Sequence, residues 1–172
     1  SVLELELDAD ERHLFDSLLQ TAEALRDGKL TSCSARTVVI RVAGGWVRDK
    51  VLGLQTHDVD IALDSVTGVE FANCVKEYIG SLRIHDTTTT NENDNDNDTI
   101  HSPHPKGIGR IGVIAANPAQ SKHLETATMK IYGVEVDFCN LRHETYADTN
   151  SRIPTTTMMG TPLEDSFRRD FT

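Results

Sequence analysis

The most chemically informative stretch of the chain is RVAGGWVRDKVLGLQTHDVDIAL, residues 41–63. Asp58 and Asp60 stand two apart. On a β-strand that spacing sends both carboxylates to one face, while Val59, Ile61 and Leu63 take the other. Two ionised carboxylates at about 4 Å repel by roughly 4 kcal/mol at an effective dielectric of about 20. A hard, oxygen-seeking divalent cation such as magnesium turns that repulsion into a binding site. An isolated Asp-x-Asp also fits a solvated strand, so the pair needs a second feature beside it. Gly44 and Gly45 supply one, fourteen residues before Asp58. A strand, a Gly-Gly turn and a helix start let backbone N–H groups approach phosphate oxygens that a larger side chain would hold off, and the helix N-terminus favours an anion. By themselves the two glycines fit a plain tight turn better than a phosphate site. Arg48, one turn into the helix, can reach the same anion; Lys50 lies on another face. The glycine turn and the acid pair together define a candidate metal–nucleotide site.

A further acidic face comes from Val134-Glu135-Val136-Asp137-Phe138. Alternation sets Glu135 and Asp137 opposite the three apolar residues. Asp137 is a candidate third metal carboxylate if this strand lies beside that of Asp58 and Asp60; a solvent-facing strand edge is the alternative. Arg142 closes the segment, facing either an incoming phosphate or solvent.

The elements that must position these residues can be read from periodicity. Leu14, Phe15, Leu18, Leu19, Ala22 and Leu25 recur at helical spacing between Asp8 and Asp27, with Gly28 closing the pattern. Thr37 to Ala43 is β-branched and apolar, a buried strand. A short helix from Trp46 to Leu52 ends at Gly53, a strand runs from His57 to Leu63, and a helix from Val69 to Ile79 is closed by Gly80. Ile111 to Ala116 and Thr126 to Tyr132 read as strands, and Gly133 turns the second into a hairpin with 134–141. Residues 143–160 read as a polar loop. Thr161-Pro162-Leu163-Glu164 is a helix start, with Thr as N-cap, Pro in the first helical position and Glu three residues after the cap. Residues 85–106 differ in kind, with four consecutive threonines, an Asn/Asp tract and one aliphatic residue. Such a segment cannot bury enough apolar surface to offset its ordering entropy, so a disordered insertion is expected there.

The chain has 172 residues, 38% hydrophobic, with 27 acids against 17 bases and a net charge of −10. That length suits one domain with a real core. No run approaches the roughly eighteen apolar residues of a membrane span, which excludes an integral helical membrane protein. Cys33, Cys74 and Cys139 are odd in number and widely spaced, a pattern that argues against a disulfide framework and suits a reducing compartment. The charge looks hostile to nucleic acid, but it is concentrated. Residues 1–30 carry eight acids and three bases, and residues 86–98 carry five acids and no base. What remains is balanced, at fourteen of each sign. The chain begins at Ser1 without methionine and stops inside the helix that starts at Thr161, which reads as a piece of a longer polypeptide.

With those residues in view, the sequence resembles the catalytic head domain of class II, eukaryotic-type CCA-adding tRNA nucleotidyltransferases. The resemblance runs from Val38 to Thr172. It rests on GGWVRDKVLG followed by HDVDIAL, on IAANPAQSKHLETATMKIYGVEVDFCNLR, and on SRIP followed by GTPLEDSFRRDFT. It implies an α+β fold of the polymerase β nucleotidyltransferase superfamily, a mixed β-sheet packed on helices. It also implies that Gly44 and Gly45 hold the triphosphate of CTP or ATP, and that Arg48 and Asp49 support the triphosphate and order the turn. Asp58 and Asp60 match the pair that binds two magnesium ions (Mg2+), whereas relatives do not all carry an acid at Asp137. Arg142 falls in a motif thought to couple domain movement to nucleotide choice. Arg168, Arg169 and Asp170 match a motif that contacts the ribose.

The activity so implied is addition of C, C and A to tRNA 3′ ends, in the cytoplasm, nucleus or mitochondrion, with no membrane partner. A poly(A)-adding polymerase of bacterial type shares the head motifs, although SKHLETAT and DFCNLR favour the CCA-adding type. A non-catalytic nucleotide-binding module is the rival from another class. On this reading residues 1–172 are one head domain broken at the ribose motif, without the neck, body and tail domains. Such a piece should bind metal and triphosphate but select nucleotides weakly and hold tRNA poorly.

Overall fold

The computed structural model describes residues 5–56, 58–86, 107–114, 125–145 and 156–167. Helix α1 spans Ala9–Arg26 and strand β1 Ile40–Ala43; α2 follows at Gly45–Val51, β2 at Asp58–Leu63 and α3 at Gly68–Asp86. Strands β3 (Gly112–Ile114), β4 (Thr126–Ile131), β5 (Val134–Asn140), β6 (Arg142–Thr145) and β7 (Thr156–Met159) come next, then α4 at Pro162–Phe167. Five strands form one sheet in the order β1-β2-β5-β4-β3. The β2–β5 pair is parallel and the other three pairs are antiparallel. This is the expected mixed α+β sheet on helices. Among the described residues no helix is long and apolar enough to cross a membrane.

The two sheet faces divide as the alternation requires. Val59, Ile61 and Leu63 of β2, Val136 and Phe138 of β5, and Ala127, Met129 and Ile131 of β4 are all buried, in one cluster with Leu14, Leu18 and Leu25 of α1 and Phe71 and Val75 of α3. Phe71 meets Phe138 edge-on at 5.6 Å. The α3 helix comes so close to the sheet at its first residue that a Cβ on Gly68 would collide with the Phe138 carbonyl oxygen. The opposite face carries the acids. All three cysteines are buried free thiols.

Local signals explain most element ends. The first turn of α1 is a capping box: the Glu11 N–H donates to Asp8 Oδ1 at 2.8 Å and the Asp8 N–H to Glu11 Oε2 at 2.9 Å. The β4–β5 hairpin turns through Tyr132 and Gly133, both at positive φ (49° and 91°), the sign pattern of a tight type I′ connection. At α4 the Thr161 N–H donates to Glu164 Oε2 at 2.7 Å and the Glu164 N–H to Thr161 Oγ1 at 3.3 Å, the expected reciprocal cap.

Three expectations are corrected. The strand expected over 37–43 starts at Ile40, because β2 ends at its partner Leu63 and the Val39 N–H turns instead to Asp64 Oδ1 at 2.9 Å. The helix expected to stop at Gly80 continues to Asp86, taking the first two residues of the expected 85–106 insertion. Gly80 keeps a negative φ, and a helix-interior glycine costs only about 1 kcal/mol against alanine. Residues 143–160 are not all loop: Arg142–Thr145 pairs antiparallel with Thr156–Met159. A ladder is a backbone bond set and does not require hydrophobic alternation. The remainder of the insertion, 87–106, lies outside the described residues.

Candidate active site

The site begins where β1 ends. Gly44 has φ 76° and ψ −149°, a region essentially reserved for glycine. Its carbonyl accepts the Arg48 N–H at 3.4 Å, the first turn of α2, and no side chain caps that helix N-terminus. The Arg48 guanidinium lies over the turn, with Nη2 3.5 Å from where a Cβ of Gly45 would sit. Arg48 Nε donates to Asp49 Oδ1 at 2.7 Å, which holds the Asp49 carboxyl below its ordinary range. The Asp49 carbonyl accepts the Leu54 N–H at 2.7 Å and closes the chain behind α2, where Gly53 sits at φ 69°.

Sheet register brings the acids to this turn. Ala43, next to Gly44, pairs with Asp60, and Asp60 pairs on its other side with Asp137. Asp58 pairs with Glu135 one step nearer the strand start. Asp58 is exposed, and Asp60 and Asp137 are half-buried. Asp137 accepts the Thr128 hydroxyl at 2.6 Å. Thus Asp58, Asp60 and Asp137 share one face beside the Gly44–Gly45 turn, the arrangement the alternation suggested.

The donor set is all oxygen, as magnesium takes. Among the described residues no group of three or more His, Cys, Asp or Glu side chains converges on one point. The carboxylates therefore form an open face and not a closed cage.

Arg142 lies at the edge of the same face. Its backbone N–H donates to Asp165 Oδ1 at 3.1 Å and its Nη2 to Thr126 Oγ1 at 3.2 Å, while its buried Nε has no hydrogen-bond partner among the described residues. Asp165, only 2% exposed, thereby docks α4 on the β5–β6 junction. Between α4 and the sheet lies a cavity of about 410 Å³ whose lining includes Arg41, Ala43, Ala62, Leu141, Pro162 and Asp165. Of its lining residues, Ala43 immediately precedes Gly44 and Ala62 lies two residues beyond Asp60 on the same strand face. Arg168, Arg169 and Asp170 lie outside the described residues.

Sequence reasoning missed Thr126, Thr128 and Asp165. The first two were legible: in TATMKI the polar residues alternate with buried Ala127, Met129 and Ile131, which sets them on the Asp137 face. Asp165 follows the capping Glu164 and carries no periodic signal of its own.

The chain, a mixed sheet with paired strand acids beside a glycine turn, belongs to the poly A polymerase head domain family, whose model matches residues 40–172. Among curated relatives, the tRNA nucleotidyltransferase cca2 of Schizosaccharomyces pombe is 42% identical over 162 residues, covering 94% of this chain and 29% of the relative. The mitochondrial CCA tRNA nucleotidyltransferase of Saccharomyces cerevisiae is 45% identical over 135 residues, covering 78% of this chain and 21% of the relative. A solved structure of a CCA-adding enzyme, apo form II, shares the fold at a TM-score of 0.57 and 22% identity, covering 96% of this chain and 28% of that one. The chain thus spans less than a third of the length of these relatives.

Proposed function

We propose that this chain is the catalytic head of a longer CCA-adding tRNA nucleotidyltransferase, which extends tRNA 3′ ends with C, C and A from CTP and ATP. The observation that carries the reading is the register of Ala43, Asp60 and Asp137, which sets the acid face beside the Gly44–Gly45 turn. Relatives named for this activity support it. Two relatives are named mitochondrial, which supports the mitochondrion among the compartments expected from the sequence.

In this reading the tRNA 3′-oxygen attacks the α-phosphorus, the bond between the α-phosphorus and the bridging oxygen to the β-phosphorus breaks, and pyrophosphate leaves with that oxygen. The 3′-hydroxyl proton goes to solvent. Asp58 and Asp60 would hold two magnesium ions, with Asp137 a candidate further ligand; bound there, such ions would lower the pKa of the attacking hydroxyl and offset charge on the leaving pyrophosphate. Gly44 and Gly45 let the backbone approach the triphosphate, and Arg48, steadied by Asp49, faces it. Arg142, tied to α4 through Asp165, helps couple domain movement to nucleotide choice, and Arg168, Arg169 and Asp170 meet the ribose. The protein contributes mainly position and electrostatic stabilisation.

Asp58→Ala or Asp60→Ala in the full-length enzyme should abolish nucleotide addition and leave the fold intact. Near-normal addition by both variants would refute the assignment.

A further inference from the structure

The helix that follows the glycine turn is poorly anchored by itself. It has seven residues, no side-chain N-cap, and Trp46 as its one buried residue. Successive helix residues turn by about 100°, so Trp46 and Lys50 share one face and Arg48 lies roughly opposite. Both residues of the shared face bind a single carboxylate on another helix. Trp46 Nε1 donates to Glu11 Oε1 at 3.1 Å, and Lys50 Nζ donates to Glu11 Oε2 at 2.7 Å. Glu11 is 5% exposed and its Oε2 also accepts the Asp8 N–H, so the carboxylate is fixed by the α1 capping box. Phe15 meets Trp46 edge-on at 5.4 Å, and the Lys50 ammonium sits 5.6 Å over the indole.

We propose that Glu11 is a positioning residue of the triphosphate site: by gripping Trp46 and Lys50 it sets the rotation of α2, and so aims Gly45 and Arg48 on the opposite side. This rests on the nucleotidyltransferase reading above. A buried carboxylate with three donors on two elements resists rotation in a way that the contacts of Trp46 alone do not, because ring packing tolerates sliding while charge-assisted hydrogen bonds are directional.

The test uses the full-length enzyme. Glu11→Gln keeps one acceptor oxygen and turns the other into a donor that must face either the indole N–H or the ammonium. The KM for CTP and ATP should rise about tenfold, with kcat and the KM for tRNA within about twofold. Ile79→Val, in the α3 core and away from α2, serves as the stability control: it should lower Tm and leave the nucleotide KM unchanged. If Glu11→Gln fails to fold, Trp46→Phe removes the indole donor while keeping an aromatic ring, and the nucleotide KM should rise about threefold. A separate readout needs no activity. Trp46 is the single tryptophan of these 172 residues, so in this chain the indole N–H resonance should move upfield in Glu11→Gln. A resonance that stays in place, an unchanged nucleotide KM in the folded variants, or an equal KM rise in the Ile79→Val control would each overturn the proposal. Absence of nucleotidyl transfer in the wild type would instead refute the functional reading.

Discussion

Glu77, on α3, offers a prediction whose size can be worked from geometry. Its carboxylate receives the Thr31 N–H at 2.9 Å and hydroxyl at 3.0 Å on Oε1, and the Ser32 N–H at 2.9 Å and hydroxyl at 2.6 Å on Oε2. These bonds tie down the connection from α1 to β1, the strand that leads into the glycine turn. Partial burial pushes the carboxyl up, but the Ser32 and Thr31 donors more than offset it and hold the pKa at about 2, from an ordinary 4.5. Each pKa unit is worth about 1.4 kcal/mol, which sets a ceiling of about 3 kcal/mol on the contribution to stability. The site borders solvent, and screening reduces the realised part to about 1–2 kcal/mol. Because the folded pKa is depressed, that stability is present in full above pH 4.5 and is lost as pH falls toward about 2. Glu77→Gln in this chain should therefore unfold at lower urea than wild type at neutral pH, by about 1–2 kcal/mol, with the gap closing through the acid range. Equal stability at neutral pH, or a gap that does not change with acid, would refute the clamp.

Gly68→Ala should lower stability by about 1–3 kcal/mol in thermal unfolding, because the new methyl meets the Phe138 carbonyl and forces α3 off the sheet. Asp137→Asn removes a charge beside Asp60, so the metal-free chain should melt higher and its stabilisation by millimolar magnesium should shrink in calorimetry; an unchanged magnesium response would take Asp137 out of the ligand set.

How much of this was legible in the sequence depended on the range of the interaction. The Asp58–Leu63 strand and the β4–β5 hairpin follow from period-two alternation, a local signal, and so the shared face of Asp58 and Asp60 was readable. That Asp137 lies beside Asp60 was readable only as a condition, since strand neighbours are set by topology and not by spacing. The Glu11 node was hidden for the same reason: Glu11 and Trp46 are 35 residues apart, and the capping role of Glu11 accounts for only one of its bonds. The β6–β7 pair was missed because its polar residues mimic a loop, while backbone pairing makes no demand on side-chain pattern. Gly80 misled because glycine closes helices only when it takes positive φ, as Gly28 does at 72°.

The central claim is that this acid face adds C, C and A to tRNA. The direct measurement gives the full-length enzyme a tRNA lacking those three nucleotides, with CTP, ATP and magnesium, and sequences the new 3′ ends. The account predicts C, C and A in that order, absent when Asp58 and Asp60 are alanine. A homopolymer of A from the wild type would assign the chain to a poly(A)-adding enzyme. Nucleotide binding with no transfer would make it a binding module, and either result would contradict the claim.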